Sequence, residues 1–394
     1  ATKYDEQAEK EAMRLRDAWI EHPDHTITKA LVAERAIFFV LLPFFRFNGD
    51  AALRMKKAGL DGVEIVASHG YLPAQFLNPR VNRRTDEYGG NFDNRIRFLR
   101  EIVHNIRDKV GDYVIGLRIS GDEKDPDGLR DDEAFSSCEA LNGPDELDYF
   151  NVIAGSSATL GGAVHIVPPM AVETAYVAPY AATIKSRVDK PVFVAGRINQ
   201  PQIAESVLAS GQADVCGMTR ALICDPCLPN KAQSGRTEDI RACIGCNQAC
   251  IGHFHQGYPI SCIQNPEAGR ERLYAERPLA NTSKKVMVVG GGPGGMKAAT
   301  VAAECGHEVT LYETDPQLGG QAKLAQLLPG RSEFGGIITN LSREVTLSGA
   351  KVVTNTKVTQ SLVNDESPDR IIVATGASPR WPDIEGKEEA HVVD

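Results

Sequence analysis

Between residues 50 and 220 short apolar runs alternate with longer segments of helical periodicity, and that alternation restricts the fold of this chain more than any other feature. The runs that read as strands are 62–68, 113–120, 147–153, 191–196 and 213–218. Helix-like segments separate them, the clearest being RIRFLREIVHNIRDKV at 95–110 and AALRMKKAGL at 51–60. Strands of near-continuous apolar character separated by helices form a parallel sheet covered on both faces. Units of this kind fit part of an α/β barrel of the (β/α)8 TIM type.

In such a barrel the reactive groups collect where strands end and loops begin. The polar residues of this chain follow that rule: His69 and Tyr71 after the first strand, Arg118 and Asp122 at the end of the second, Asn151 on the third, Gly196 and Arg197 after the fourth, Thr219 and Arg220 after the fifth. Glycine lets the backbone approach a ligand, and its amides beside an arginine can hold a phosphate. Gly196-Arg197 and the run Gly217, Met218, Thr219, Arg220 therefore read as a phosphate site on the late strands. The competing reading is an arginine paired with a carboxylate in the barrel rim.

Four cysteines follow, Cys243, Cys246, Cys250 and Cys262, spaced C-x2-C-x3-C-x11-C. Three close thiols and a distant fourth match the corners of an iron-sulfur cluster. Structural zinc sites usually come as two C-x2-C pairs or as Cys/His mixtures, and a disulfide framework needs an oxidising compartment that nothing else here suggests. His253 and His255, inside the loop, read as loop surface. Among the remaining cysteines, Cys138, Cys216 and Cys305 read as small core residues. Cys224 and Cys227 form a second C-x2-C, but the Asp-Pro between them suits a turn.

A third pattern begins at residue 284 with KKVMVVGGGPGGMKAATVAAECGHEVTLYE. An apolar strand runs into Gly290, Gly292 and Gly295 at G-x-G-x-x-G spacing, a helix follows, and a second strand ends in Glu313. That is a complete dinucleotide unit of Rossmann type. The first glycine permits the tight turn, the second admits the pyrophosphate to the helix amino terminus, and the third lets helix and strand pack closely. Glu313 sits where an acid binds ribose hydroxyls.

Composition narrows the ligands. The 394 residues suffice for two or three domains, and a net charge of −9 argues against nucleic acid, whose phosphates need an excess of Lys and Arg. The most apolar run, AIFFVLLPFF at 36–45, is too short to span a bilayer and contains Pro43, so it reads as a buried strand or core segment. Residues 8–20 read as an amphipathic helix. No signal peptide is visible, and the cysteine usage is that of a reducing compartment, so a cytoplasmic protein acting on a small molecule is expected.

Several long motifs, in order, carry a family resemblance: GVEIVASHGYLPAQFLNPRVNRRTDEYGGNFDNR, GLRISGDE, FVAGRIN, GMTRALICDP, CIGCNQAC and, later, RIIVATGASPR. They resemble the Old Yellow Enzyme-related NADH:flavin oxidoreductases that carry FMN and an iron-sulfur cluster, the group of dienoyl-CoA reductase, trimethylamine dehydrogenase and N-methylproline demethylase. The resemblance implies that Arg118 approaches the flavin ring, that Gly196, Arg197 and Gly217 to Arg220 bind the FMN phosphate, and that the four cysteines hold a 4Fe-4S cluster. It places His69 and Tyr71 over the flavin, matches Asp122 to an aspartate used by the amine dehydrogenases, and makes Thr375 and Gly376 part of a second nucleotide fingerprint. The second domain would then carry FAD, or an ADP without redox work. Hydride exchange with FMN needs a group that polarises or positions the substrate and a proton donor or acceptor, and His69 and Tyr71 can supply both.

Together these readings give an unassigned segment at 1–50, an FMN-binding TIM-type barrel portion at 51–240, a cluster loop and linker at 241–283, and a partial Rossmann-like domain at 284–394. Val66 departs from the family, standing where amine dehydrogenases have tyrosine and many enoate reductases histidine. The front strands of the barrel and the NAD(P)H-binding remainder of the last domain are not legible, so either residues 1–50 patch the gap, or a partner does, in a homo-oligomer or with an electron-transfer protein, or the chain is part of a longer protein, which is the leading reading. The leading expectation is an enzyme in which NAD(P)H reduces FAD, electrons cross the cluster to FMN, and an activated double bond is reduced. N-methyl amine oxidation is the alternative within enzymes, and a non-catalytic nucleotide-binding or electron-transfer subunit the alternative of another class.

Overall fold

The computed structural model describes residues 48–274, 277–378, 380 and 383–385. The helix expected at 8–20 and the apolar run at 36–45 lie outside these residues. The described chain forms two compact units. The first runs to Pro168 and takes in Val172–Ile198 and Gln202–Met218; the second comprises Pro169–Ala171, Asn199–Pro201 and the chain from Thr219.

The first unit is a five-stranded parallel sheet in sequence order: β1 (Gly62–Ala67), β2 (Val114–Ser120), β3 (Tyr149–Ile153), β4 (Val192–Ala195) and β5 (Val215–Gly217). Each strand falls within its expected span, trimmed at the ends. The register puts Val66, Arg118, Asn151 and Phe193 in one row across the strands, and Glu64, Gly116 and Tyr149 in the next row on the same face. On the other face Ile115, Leu117, Ile119, Phe150, Val152, Val192 and Val194 are fully buried. Each such side chain contributes roughly 1.5–3 kcal/mol by leaving water.

The helix Phe92–Val110 covers that buried face because Ile96, Leu99, Ile102, Val103, Ile106 and Val110 recur at three- and four-residue spacing. Asn91 caps its start by accepting the Asn94 amide at 2.9 Å, and Gly111, at φ 65°, ends it in a conformation that other residues adopt only with strain. Residues 48–57 are also helical, overlapping the segment expected at 51–60. Cys138 is fully buried, as expected of a small core residue, while Cys216 is half-buried.

In the second unit a four-stranded parallel sheet has the order β8-β7-β6-β9, with β6 Lys285–Val289, β7 Glu308–Tyr312, β8 Lys351–Val353 and β9 Arg370–Val373. The helices Pro293–Glu304 and Gly335–Ser348 pack through Met296, Ala299, Ile337, Leu341 and Val345 against Val288 and Leu311. Ile244, from the cysteine loop, belongs to the same core at 4% exposure, so that loop is built into this unit. Glu344 strengthens the join, meeting Arg241 Nη1 and Lys297 Nζ at 2.8 Å each. Among the described residues no helix is long and apolar enough to cross a membrane.

Candidate active site, cysteine loop and nucleotide cleft

Three loops meet at the carboxyl ends of β1, β2 and β3. His69 takes φ 60°, bridges to Ser156, and has its amide bonded to Ser120 Oγ at 3.2 Å. Its Nδ1 lies 3.2 Å from the Gly155 carbonyl. A carbonyl only accepts, so Nδ1 carries the hydrogen and a neutral ring leaves Nε2 as an acceptor. Burial lowers the His69 pKa, the Gly155 bond opposes that shift, and Arg118 adds to it. Tyr71 is half exposed and stands edge-on to His69 with ring centroids 5.9 Å apart. The loop is held from below by Glu123, 2% exposed, which accepts the Gly70 amide at 2.6 Å and the Leu129 amide at 2.7 Å. Burial raises the Glu123 pKa against the pull of those two amides.

Asp122 is placed away from His69's hydrogen bonds. It accepts the Lys124 amide at 2.6 Å, Lys124 Nζ at 2.9 Å and the Tyr180 hydroxyl at 3.2 Å, and Lys124 also donates to the Tyr180 oxygen. Burial alone would raise the Asp122 pKa; the Lys124 and Tyr180 contacts outweigh it and leave the carboxyl below its ordinary value. Arg118, at the end of β2, has Nε 2.6 Å from Glu64 Oε1, although that nitrogen makes no aligned hydrogen bond. No described protein atom accepts from its terminal amino groups. Glu64 Oε2 also accepts from Asn151 Nδ2 at 2.8 Å and from the Tyr149 hydroxyl at 3.2 Å.

Glu64, Glu123, Lys124 and Tyr180 were not singled out from the sequence. Period-two alternation marks Glu64, which shares a face with Val66; nothing local marks Lys124 or Tyr180 as partners, because they lie 56 residues apart. The residues read as a phosphate site divide between the units. Gly196, Arg197, Gly217 and Met218 are in the first, where Arg197, buried and at φ 56°, donates from Nε to the Val172 carbonyl at 3.0 Å. Thr219 and Arg220 are in the second, where Arg220 Nη1 donates to Asn247 Oδ1 of the cysteine loop at 2.7 Å. The open Arg118 fork and the bare backbone at Gly217 fit a flavin with its phosphate tail.

Cys243, Cys246, Cys250 and Cys262 line one small cavity, with Arg220 and Gln264 beside them. Among the described residues no three His, Cys, Asp or Glu side chains converge to hold a single metal ion. Thiols spread around a cavity fit a multi-iron cluster, whose ligands sit at separate corners. The loop is shaped by Gly245 and Asn247, both at positive φ, and held by Asn199 Nδ2 on the Cys243 carbonyl at 2.6 Å and by the Met170 amide on Gly245 at 3.0 Å. Burial raises the Cys246 thiol to about 11. Cys262 is lowered to about 6, first by a hydrogen bond from Cys224, with burial opposing and the Gln264 and Asn265 amides assisting. Cys224 is therefore buried against the loop, whereas Cys227 is exposed, and the two form no joint site. His255 is exposed and His253 Nδ1 donates to the Pro259 carbonyl at 3.1 Å. Cys305, expected in the core, is only half-buried.

A cleft of about 970 Å³ opens beyond β6, lined by Gly290, Gly292, Glu313, Lys323, Thr375 and Gly376. A side chain added at Gly292 or Gly294 would meet almost nothing, so the amino end of the helix Pro293–Glu304 is open to a pyrophosphate. Glu313 accepts the Gly291 amide at 2.6 Å and the Asp315 amide at 2.9 Å, which fixes its carboxylate at the end of β7. Gly295 does not line the cleft; it packs on Gly290.

Parallel strand-helix units with charged groups at the strand ends in the first unit, and a glycine-rich cleft of dinucleotide-binding type in the second, define a two-part α/β protein of the nucleotide-binding class. Residues 44–239 match the NADH:flavin oxidoreductase / NADH oxidase family and residues 284–394 the pyridine nucleotide-disulphide oxidoreductase family, and the chain belongs to the former over its first part and carries the latter domain after it. It is 38% identical over 389 residues to N,N-dimethylglycine/sarcosine dehydrogenase of Chromohalobacter salexigens, covering 96% of this chain and 55% of that protein. It is 43% identical over 351 residues to a metal reductase of Desulforamulus reducens, covering 87% and 51%. Among solved structures, a 2-naphthoyl-CoA reductase complexed with 2-naphthoyl-CoA matches with TM-score 0.84 and 34% identity, over 89% of this chain and 53% of that one. The chain thus spans about half the length of these relatives, and its first unit belongs to a TIM-barrel flavoenzyme family.

Proposed function

We propose that this chain acts in an oxidoreductase that takes electrons from NAD(P)H and reduces an activated carbon–carbon double bond of the enoate or dienoyl thioester type. In this reading Arg118, Gly196, Arg197, Gly217 and Met218 of the first unit hold FMN, the four cysteines hold a 4Fe-4S cluster, and the cleft at Gly290, Gly292, Glu313, Thr375 and Gly376 takes FAD or ADP. When bound, the flavins supply hydride exchange and the cluster single-electron transfer.

One observation carries the substrate class. The carboxylates on β1 and on the loop after β2 are engaged: Glu64 with Arg118, Asp122 with Lys124, Glu123 with two amides, and Asp125 with the Thr159 hydroxyl at 2.5 Å. An ammonium substrate needs an unpaired carboxylate, whereas a neutral carbonyl-conjugated alkene needs donors and a proton source. Tyr71 supplies that proton, to the carbon beside the activating carbonyl. His69, neutral with Nδ1–H held by Gly155, orients the substrate through Nε2.

Oxidation of an N-methyl amine is the second reading, favoured by the likeness to the N,N-dimethylglycine/sarcosine dehydrogenase. Anaerobic mixing separates the two. An enoyl thioester should reoxidise dithionite-reduced protein, while an N-methyl amine should leave the oxidised protein unbleached. The reverse result supports the amine reading, and a protein that keeps iron but takes up no FMN supports a non-catalytic electron-transfer or nucleotide-binding role.

A further inference from the structure

Glu64, in the first unit, gathers three polar partners and has no part in the chemistry above. Two neighbouring strands supply them: Arg118 from β2, with Nε at 2.6 Å, and Asn151 and Tyr149 from β3, at 2.8 and 3.2 Å. The arrangement is built for this purpose. The Tyr149 ring lies over β2 only because residue 116 is glycine, where a Cβ would stand 2.0 Å from the ring, and it is stacked on Phe193 of β4 with centroids 4.5 Å apart. The Glu64 side chain is 19% exposed.

Both Glu64 oxygens are thereby engaged, Oε1 by Arg118 and Oε2 by Asn151 and Tyr149. The negative charge of Glu64 stands against the Arg118 guanidinium, and contact through Nε leaves the terminal amino groups open toward a ligand. A cation beside a flavin favours the reduced ring, which carries negative charge; pairing that cation weakens the effect.

We propose that Glu64 is a positioning residue for Arg118, fixing its guanidinium and offsetting its charge, and thereby holding down the reduction potential of a flavin bound beside it. The proposal rests on the reading that the first unit binds FMN.

The test is an anaerobic spectroelectrochemical titration of FMN-loaded protein, with FMN affinity measured by quenching of its fluorescence. In Glu64→Gln the amide keeps the shape but not the charge. The ratio of reduced to oxidised FMN at fixed potential should rise about tenfold, equivalent to about 30 mV for a two-electron couple, while FMN affinity changes by a few-fold at most. An unchanged or lower potential overturns the proposal. Arg118→Gln is the second measurement, and it stands if Glu64→Gln does not fold. It leaves the carboxylate uncompensated, so the same ratio should fall about tenfold, and an unchanged ratio again overturns the pairing. Wild-type protein that takes up no FMN would instead remove the reading beneath the proposal, and the proposal with it.

Discussion

Two adjacent glycines in the second unit should respond to the same substitution in opposite directions. In Gly295→Ala the new Cβ would lie 1.8 Å from the Gly290 carbonyl oxygen, 3.0 Å from its carbon and 3.3 Å from Ala374 Cβ. Ordinary contact lies beyond roughly 3.4 Å, so the helix must withdraw by more than an ångström from the backbone of the β6 turn. That withdrawal loosens Met296 and Ala299, both fully buried on the same helix. Overpacking of this kind costs about 1–3 kcal/mol. In Gly294→Ala nothing lies within 4 Å, and the gain in helix propensity is up to about 1 kcal/mol. The two variants should differ by roughly 1–4 kcal/mol. Because a two-unit chain need not unfold in one step, the suitable assay is native-state hydrogen exchange of the β6 and β9 amides in nucleotide-free protein. Equal protection in both variants would refute the claim that the third glycine is fixed by close approach to the strand turn.

Replacing Cys250 by Ser should remove cluster iron, about four atoms per chain in anaerobically reconstituted protein, whereas Cys305→Ser should retain it; iron and labile sulfide analysis checks both. The burial that lowers the His69 pKa also makes a pH prediction. Stability from the neutral ring is fully present above its unfolded value near 6.5 and is lost as pH falls from there through the lower folded value. Measured from pH 8 to pH 5, wild-type protein should lose stability relative to His69→Gln; a difference constant with pH would contradict the assignment.

The sequence by itself determined the local units. Strand and helix alternation over 50–220, the glycine triplet from Gly290 to Gly295 and the spacing of Cys243, Cys246, Cys250 and Cys262 are patterns among near neighbours, which periodicity and turn chemistry impose on any chain that carries them. The expected strands accordingly lie where they were read. Tertiary structure alone decided which charges meet. Strand register puts Glu64 against Arg118, a chain reversal puts Lys124 against Tyr180, and packing carries Ile244 into the nucleotide domain's core and Cys224 against Cys262. Each of these joins residues separated by dozens of positions. Their pairing depends on strand register and on which helix covers which face, so the sequence could name Asp122 and Arg118 as reactive candidates without showing that each is already partnered.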